Sequence, residues 1–145
     1  MRMIIDANNM IVGRLASFVA KKALLGEKID IIHCEKAVIS GNKEDVLHKY
    51  WYRGRDMGGP VKGPFLSRMP DRFVRRIVRG MIPLDRSRGK AAFKRVMCYI
   101  GTPEEFKNKP VQKINGADAN KLMMPKTVSV SEICKYMGGK WYENA

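Results

Sequence analysis

Two short apolar runs with a helical stretch between them constrain this 145-residue chain more than any other feature. Met3-Ile4-Ile5, closed by Asp6, is of strand type, and Ile29 to Ile32 is a second such run broken only by Asp30. Between them, after the Asn8-Asn9 turn signal, Leu15, Ala16, Val19, Ala20 and Ala23 recur at helical spacing and stop at Gly26. A strand, a helix and a strand in that order form a β-α-β unit, whose crossover is right-handed and whose strands run parallel. The expected fold class is therefore α/β.

The remaining signals extend that order. Ala37-Val38-Ile39 reads as a third short strand ended by Ser40-Gly41-Asn42, and Lys43 to Tyr52 as a helix with Glu44 and Asp45 in its first turn. From Arg53 to Met69, Gly54, Gly58, Gly59, Pro60, Gly63 and Pro64 forbid regular structure, so a long basic loop is expected. Pro70 suits a first helical position, Asp71 favours the positive end, and Gly80 with Pro83 marks the close. A short helix around Gly89 to Lys94 leads into a strand at Val96 to Ile100, which Gly101 and Pro103 stop. Pro103 to Lys126 reads as surface turns, and Ser131 to Tyr136 as a last helix capped by Ser131. A chain this long, 45% hydrophobic, buries roughly 70% of its unfolded surface around one core. One α/β domain over 1–145 is expected, with a basic extension at 53–95 and a less patterned segment at 102–145.

Charge is segregated along the chain. Ten of the twelve arginines lie between Arg53 and Arg95, with Lys62, Lys90 and Lys94 and only three acids, Asp56, Asp71 and Asp85. That stretch holds a net +10 of the total +14, and outside it the cations are nearly all lysine. Guanidinium offers a planar fork of donors that matches phosphate oxygens, whereas scattered lysine mostly keeps a surface soluble. The expectation is a nucleic-acid binder. On a helical wheel Arg72, Arg75, Arg76 and Arg79 share an arc about 100° wide, opposite Phe73, Val74, Ile77, Val78 and Met81. All four are expected to point away from the core, and no glutamate four residues along neutralises them. Arg53, Arg55, Lys62 and Arg68 in the loop, and Arg86, Arg88, Lys90, Lys94 and Arg95 beyond the helix, complete the candidate phosphate contacts. Gly89 in the Arg86-Ser87-Arg88-Gly89-Lys90 run is expected to let backbone N–H groups approach phosphate at a helix start. Tyr50, Trp51 and Tyr52 lead into Arg53 and Arg55, a pattern suited to base stacking, although each ring can equally anchor its helix in the core.

Other chemistries find little support. No run of about 18 apolar residues is present, and Asp6 interrupts the start too early for a secretory segment, so a cytosolic protein is expected. Cys34, Cys98 and Cys134 are odd in number and far apart, which fits reduced core thiols rather than disulfides or zinc ligands. Gly58 and Gly63 have P-loop spacing, but Pro64-Phe65 stands where Lys-Ser/Thr is required. Only Gly13 follows the first strand, so the dinucleotide fingerprint is absent. His33 and His48, without a nucleophile elbow or zinc motif, read as structural. No cofactor, metal or small-molecule substrate is expected. The alternative is an α/β enzyme acting on RNA or a nucleotide, such as a methyltransferase with a pocket at the strands' carboxyl ends. A basic membrane-surface protein ranks last, because the apolar side of residues 73 to 81 is needed for the core.

Several blocks occur in the order of a known family. They are Asp6-Ala7, Gly13-Arg14-Leu15-Ala16-Ser17, Glu35 to Lys43, Arg79-Gly80-Met81-Ile82-Pro83, and Gly89-Lys90-Ala91-Ala92-Phe93 running to Tyr99-Ile100-Gly101. On these the chain resembles the universal large-subunit ribosomal protein L-thirteen family, and the segment Pro64 to Arg76 makes it resemble the archaeal and eukaryotic branch more than the bacterial one. It departs from the family at His33-Cys34, where many members have Asn-Ala, and residues 102 to 145 contribute no block. The resemblance implies a three-layer α/β/α fold with a four-stranded, mostly parallel sheet of order 3-2-1-4. It also implies binding to large-subunit ribosomal RNA during early assembly, without catalysis. The implied setting is a monomer among neighbouring ribosomal proteins in the cytoplasmic large subunit.

Overall fold

The structure is a computed structural model and describes residues 2–59, 61–124 and 126–141. The expected β-α-β unit is its centre: β1 (Arg2–Asp6), α1 (Val12–Leu24) and β2 (Lys28–Ile32). The two strands are parallel, with Met3 beside Ile29 and Ile5 beside Ile31. α1 buries Val12, Leu15, Ala16, Val19, Ala20 and Ala23 along one stripe, and its three alanines let neighbouring backbones come close. Then follow β3 (Val38–Ser40), α2 (Lys43–Arg55), α3 (Pro70–Gly80), α4 (Ser87–Lys94), β4 (Val96–Cys98), β5 (Thr127–Ser129) and α5 (Val130–Tyr136).

Sheet order differs from the one that the resemblance implied. β1, β2 and β4 form a three-stranded parallel sheet with β2 in the middle, so the fourth strand lies beside the second and not the first. The cause is burial. β2 buries Ile29 and Ile31 on one face and Asp30 and Ile32 on the other, the pattern of an interior parallel strand. The outer edge of β1 is taken by an irregular segment: the Asp6 N–H donates to the Gln112 carbonyl (3.1 Å) and the Gln112 N–H to the Ile4 carbonyl (2.9 Å). β3 instead pairs antiparallel with β5, and the Val38 N–H ties it back to the Met10 carbonyl at 2.9 Å.

Helix ends also shift. α2 continues through Arg55, so Arg53 and Arg55 are helical rather than part of the loop. α5 starts at Val130 and is capped by Ser129, whose hydroxyl accepts the Glu132 N–H at 3.2 Å; Ser131 lies inside the helix. Val130 is fully buried, so the chain passes from β5 into α5 without a loop. Gly138, at φ +90°, and Gly139 close α5, donating to the carbonyls of Lys135 (2.9 Å) and Cys134 (2.8 Å) in a Schellman turn.

One face of the sheet carries the main core, where Ile5, Ile29, Ile31 and Val96 meet Leu15 and Val19 of α1 and Phe73, Val74 and Val78 of α3. The other face carries a small cluster of Ile4, Ile32 and Phe106 with Tyr99, drawn from strands and a 3-10 turn at Glu104–Phe106. Asp30, buried there, accepts from Arg2 Nε at 2.6 Å, and the Arg2 guanidinium lies 4.9 Å from the Phe106 ring centre. That pairing removes the cost of an isolated carboxylate in an apolar setting.

Cys34, Cys98 and Cys134 are free and buried. Burial pushes the Cys34 thiol well above its ordinary value, and burial, with Asp71 nearby, pushes Cys134 up to about 12. Since the thiolate is the nucleophile, Cys34 and Cys134 should resist iodoacetamide near pH 8 in the folded protein and react fast in urea. Mass spectrometry after timed quenching checks this, and equal rates in both conditions would contradict it.

Candidate nucleic-acid interface

α3 begins with Pro70 at its first turn and Asp71 near its positive end, and buries Phe73, Val74 and Val78. The opposite face leaves Arg72, Arg76 and Arg79 exposed, as its spacing predicts. Arg75 behaves differently from the expectation. It is half-buried, its Nε donates to the Val96 carbonyl at 3.1 Å, and its guanidinium stacks 4.5 Å from the Phe93 ring centre. Arg75 therefore pins α3 to β4 and α4 instead of standing free of the core. Arg76 Nη1 donates to the Phe65 carbonyl at 2.6 Å and ties the basic loop to the helix. A hollow of about 740 Å³ opens here, lined by the four arginines with Lys90, Ser67, Leu84 and Phe93.

A second group lies at the end of α2. Arg55 stands 5.7 Å from the Trp51 ring centre, and Trp51, Arg55, Phe65, Leu66, Arg68 and Met137 border a small hollow of about 90 Å³. Arg53 borders another, of about 200 Å³, with Tyr50, Phe73 and Arg76. Lys62 is exposed in the loop. The three candidate stacking rings separate: Tyr50 packs edge-on against Phe73 at 5.1 Å, Trp51 is half-buried, and Tyr52 is 48% exposed. Burial raises the Tyr50 hydroxyl above its ordinary value, as for a ring held by the core.

The third group is built differently from its expectation. Arg88 Nη2 donates to the Leu24 carbonyl and Arg95 Nη1 to the Ala23 carbonyl, each at 3.3 Å. Two cations thus cap the C-terminal end of α1, where carbonyls lack helical partners and the dipole is negative. Gly89 is not an open phosphate cradle. It is buried inside α4, where a Cβ would stand 1.8 Å from the Pro83 carbonyl oxygen. Arg86 at the α4 N-cap and Lys94 at its end are exposed.

Among the described residues, none of the ten arginines from 53 to 95 forms an ion pair; the five pairs present use Arg2, Lys22, His33, Lys43 and Lys113. Two rings escaped the reading of the sequence. Phe93 underlies Arg75, and Phe65 stands exposed in the basic loop. The signal for Phe93 was its place one turn after Lys90 on the same helix.

The carboxyl ends of the strands, where an α/β enzyme places its ligand, hold groups bonded to one another. His33, at φ +53°, has Nδ1 3.0 Å from Asp6 Oδ1 and Nε2 2.9 Å from Thr102 Oγ1. Buried Glu35 accepts the Gly101 N–H at 3.1 Å. His48 is exposed on α2. The described residues contain no cluster of three metal-ligating side chains and no helix long and apolar enough to cross a membrane.

A model of the family described as Ribosomal protein L13 matches residues 1–105. The chain is 41% identical over 138 residues to the large ribosomal subunit protein uL13 of Methanococcoides burtonii, covering 95% of this chain and 99% of that one. It is 43% identical over 137 residues to uL13 of Methanopyrus kandleri (93% and 86% covered) and 36% over 136 residues to uL13 of Thermoplasma acidophilum (94% and 98%). Alignments of this length reach into the C-terminal third, where the resemblance offered no block. The names of these relatives denote a part of the ribosome and no catalytic activity. Coverage and identity at this level make the chain a member of the ribosomal protein L13 family.

Proposed function

We propose that the protein is a structural component of the cytoplasmic large ribosomal subunit, where it binds large-subunit ribosomal RNA through arginine-phosphate contacts and supports early assembly. It acts as a single domain and a monomer, with neighbouring ribosomal proteins as further partners. One observation carries the reading: a run of ten arginines without an ion pair among the described residues, three of them exposed along one helix face. Like charges so placed repel one another, and a polyanion's backbone removes that cost. Arg53, Arg55, Lys62, Arg68, Arg72, Arg76, Arg79, Arg86, Lys90 and Lys94 are the side chains proposed to reach phosphate. Arg75, Arg88 and Arg95 hold the frame and offer only their remaining donors.

Filter binding of a large-subunit rRNA transcript across a salt series tests the reading. Neutralising about six to ten phosphates should give log K against log salt a slope of about −4 to −9. A nearly flat dependence would remove it.

A further inference from the structure

We infer that Phe65 is a stacking platform for an unpaired RNA base, an inference that rests on the RNA-binding reading. Phe65 is 67% exposed, yet it is held in place. Its carbonyl accepts the 2.6 Å bond from Arg76, which fixes the backbone to α3. Its ring lies close beside Gly63: at φ +85°, a Cβ on that residue would stand 3.0 Å from Phe65 Cδ2 and 3.1 Å from Cε2. The turn before it is equally tight, with the Gly63 N–H donating to the Gly59 carbonyl at 2.9 Å. A Cβ on Gly58, at φ +83°, would stand 1.9 Å from the Gly63 carbonyl oxygen, so only glycine fits there.

The loop therefore holds an aromatic residue by its backbone, with Gly63 close to its ring, and leaves most of the residue open. Beside it lies the hollow of about 90 Å³ shared with Trp51, Arg55 and Arg68. The occupant follows from the charge. Between residues 53 and 69 there are four cations, Arg53, Arg55, Lys62 and Arg68, against one acid, Asp56. A docking protein would have to match that charge with carboxylates around an apolar centre. An unstacked nucleotide supplies a π-face for the ring and a phosphate for the guanidinium groups in one unit.

The test uses the full chain and two short RNA oligonucleotides, one of adenosines and one of equal length made abasic, which share a phosphate backbone. The wild type should bind the adenosine oligonucleotide about tenfold more tightly than the abasic one. Phe65→Ala should abolish that preference, and Phe65→Trp should keep it. Equal wild-type affinities with a steep salt dependence would overturn the stacking role and leave phosphate binding standing. Loss of binding to both oligonucleotides would remove both. A Phe65→Ala protein that keeps its base preference but enters large subunits poorly would assign the ring to a neighbouring protein and overturn the inference.

Discussion

The Gly89→Ala protein is expected to lose about 3 kcal/mol of stability, which corresponds to a melting temperature roughly 6–12 °C lower for a chain of this size. By helix propensity alone the change would stabilise α4 by about 1 kcal/mol. Contact geometry opposes it more strongly. The new Cβ would stand 1.8 Å from the Pro83 carbonyl oxygen and 2.6 Å from the Pro83 carbonyl carbon. Both atoms are backbone, so no rotamer change relieves the overlap, and α4 must move away from the Pro83-Leu84 turn. Ala92, fully buried, and Phe93, under Arg75, move with it. Gly80→Ala is the control, because a Cβ there meets nothing within 4 Å at the exposed end of α3. It should shift stability by about 0.5 kcal/mol or less. Thermal unfolding by circular dichroism separates the two, and identical melting of Gly89→Ala and wild type would disprove the close approach.

Gly89 also shows where local sequence stops being informative. Arg88-Gly89-Lys90 reads equally as a flexible phosphate cradle or as a helix pressed against a turn, and only the fold brings Pro83 to it. The β-α-β unit and α3 were legible because their information is local: apolar periodicity, a starting proline and a closing glycine. Strand order was not. β4 is three residues long, and Val96-Met97-Cys98 carries no mark that selects β2 over β1 as its neighbour. β5 went unassigned, between the expected turns that end at Lys126 and the expected last helix, for the same reason: Thr127–Ser129 is defined by its register with β3, not by its own pattern. Among the arginines, residue type alone does not separate those that hold the frame from those left exposed. Arg88 and Arg95 find carbonyls 64 and 72 residues away, a relation that no spacing in the chain encodes.

That division decides which substitutions report on RNA. Arg72→Glu with Arg79→Glu is expected to weaken binding to a large-subunit rRNA transcript about a hundredfold and to make the salt slope shallower by about 2, one per lost phosphate contact. The fold should survive. Both residues are exposed on α3, and among the described residues neither side chain has a hydrogen bond or ion pair to lose. Reversal also adds two anions where the RNA backbone would lie, so the effect exceeds simple deletion. Arg75→Glu provides the contrast. It removes the bond to Val96 and the stack on Phe93, and sets a carboxylate against a half-buried site, so its first effect is lost stability. A double variant at 72 and 79 that melts like wild type and binds with unchanged affinity and slope would take α3 out of the interface. The same variant binding weakly but with an unchanged slope would show that these guanidinium groups act by placing a neighbour and not by meeting phosphate, because counterion release counts only the contacts that are made.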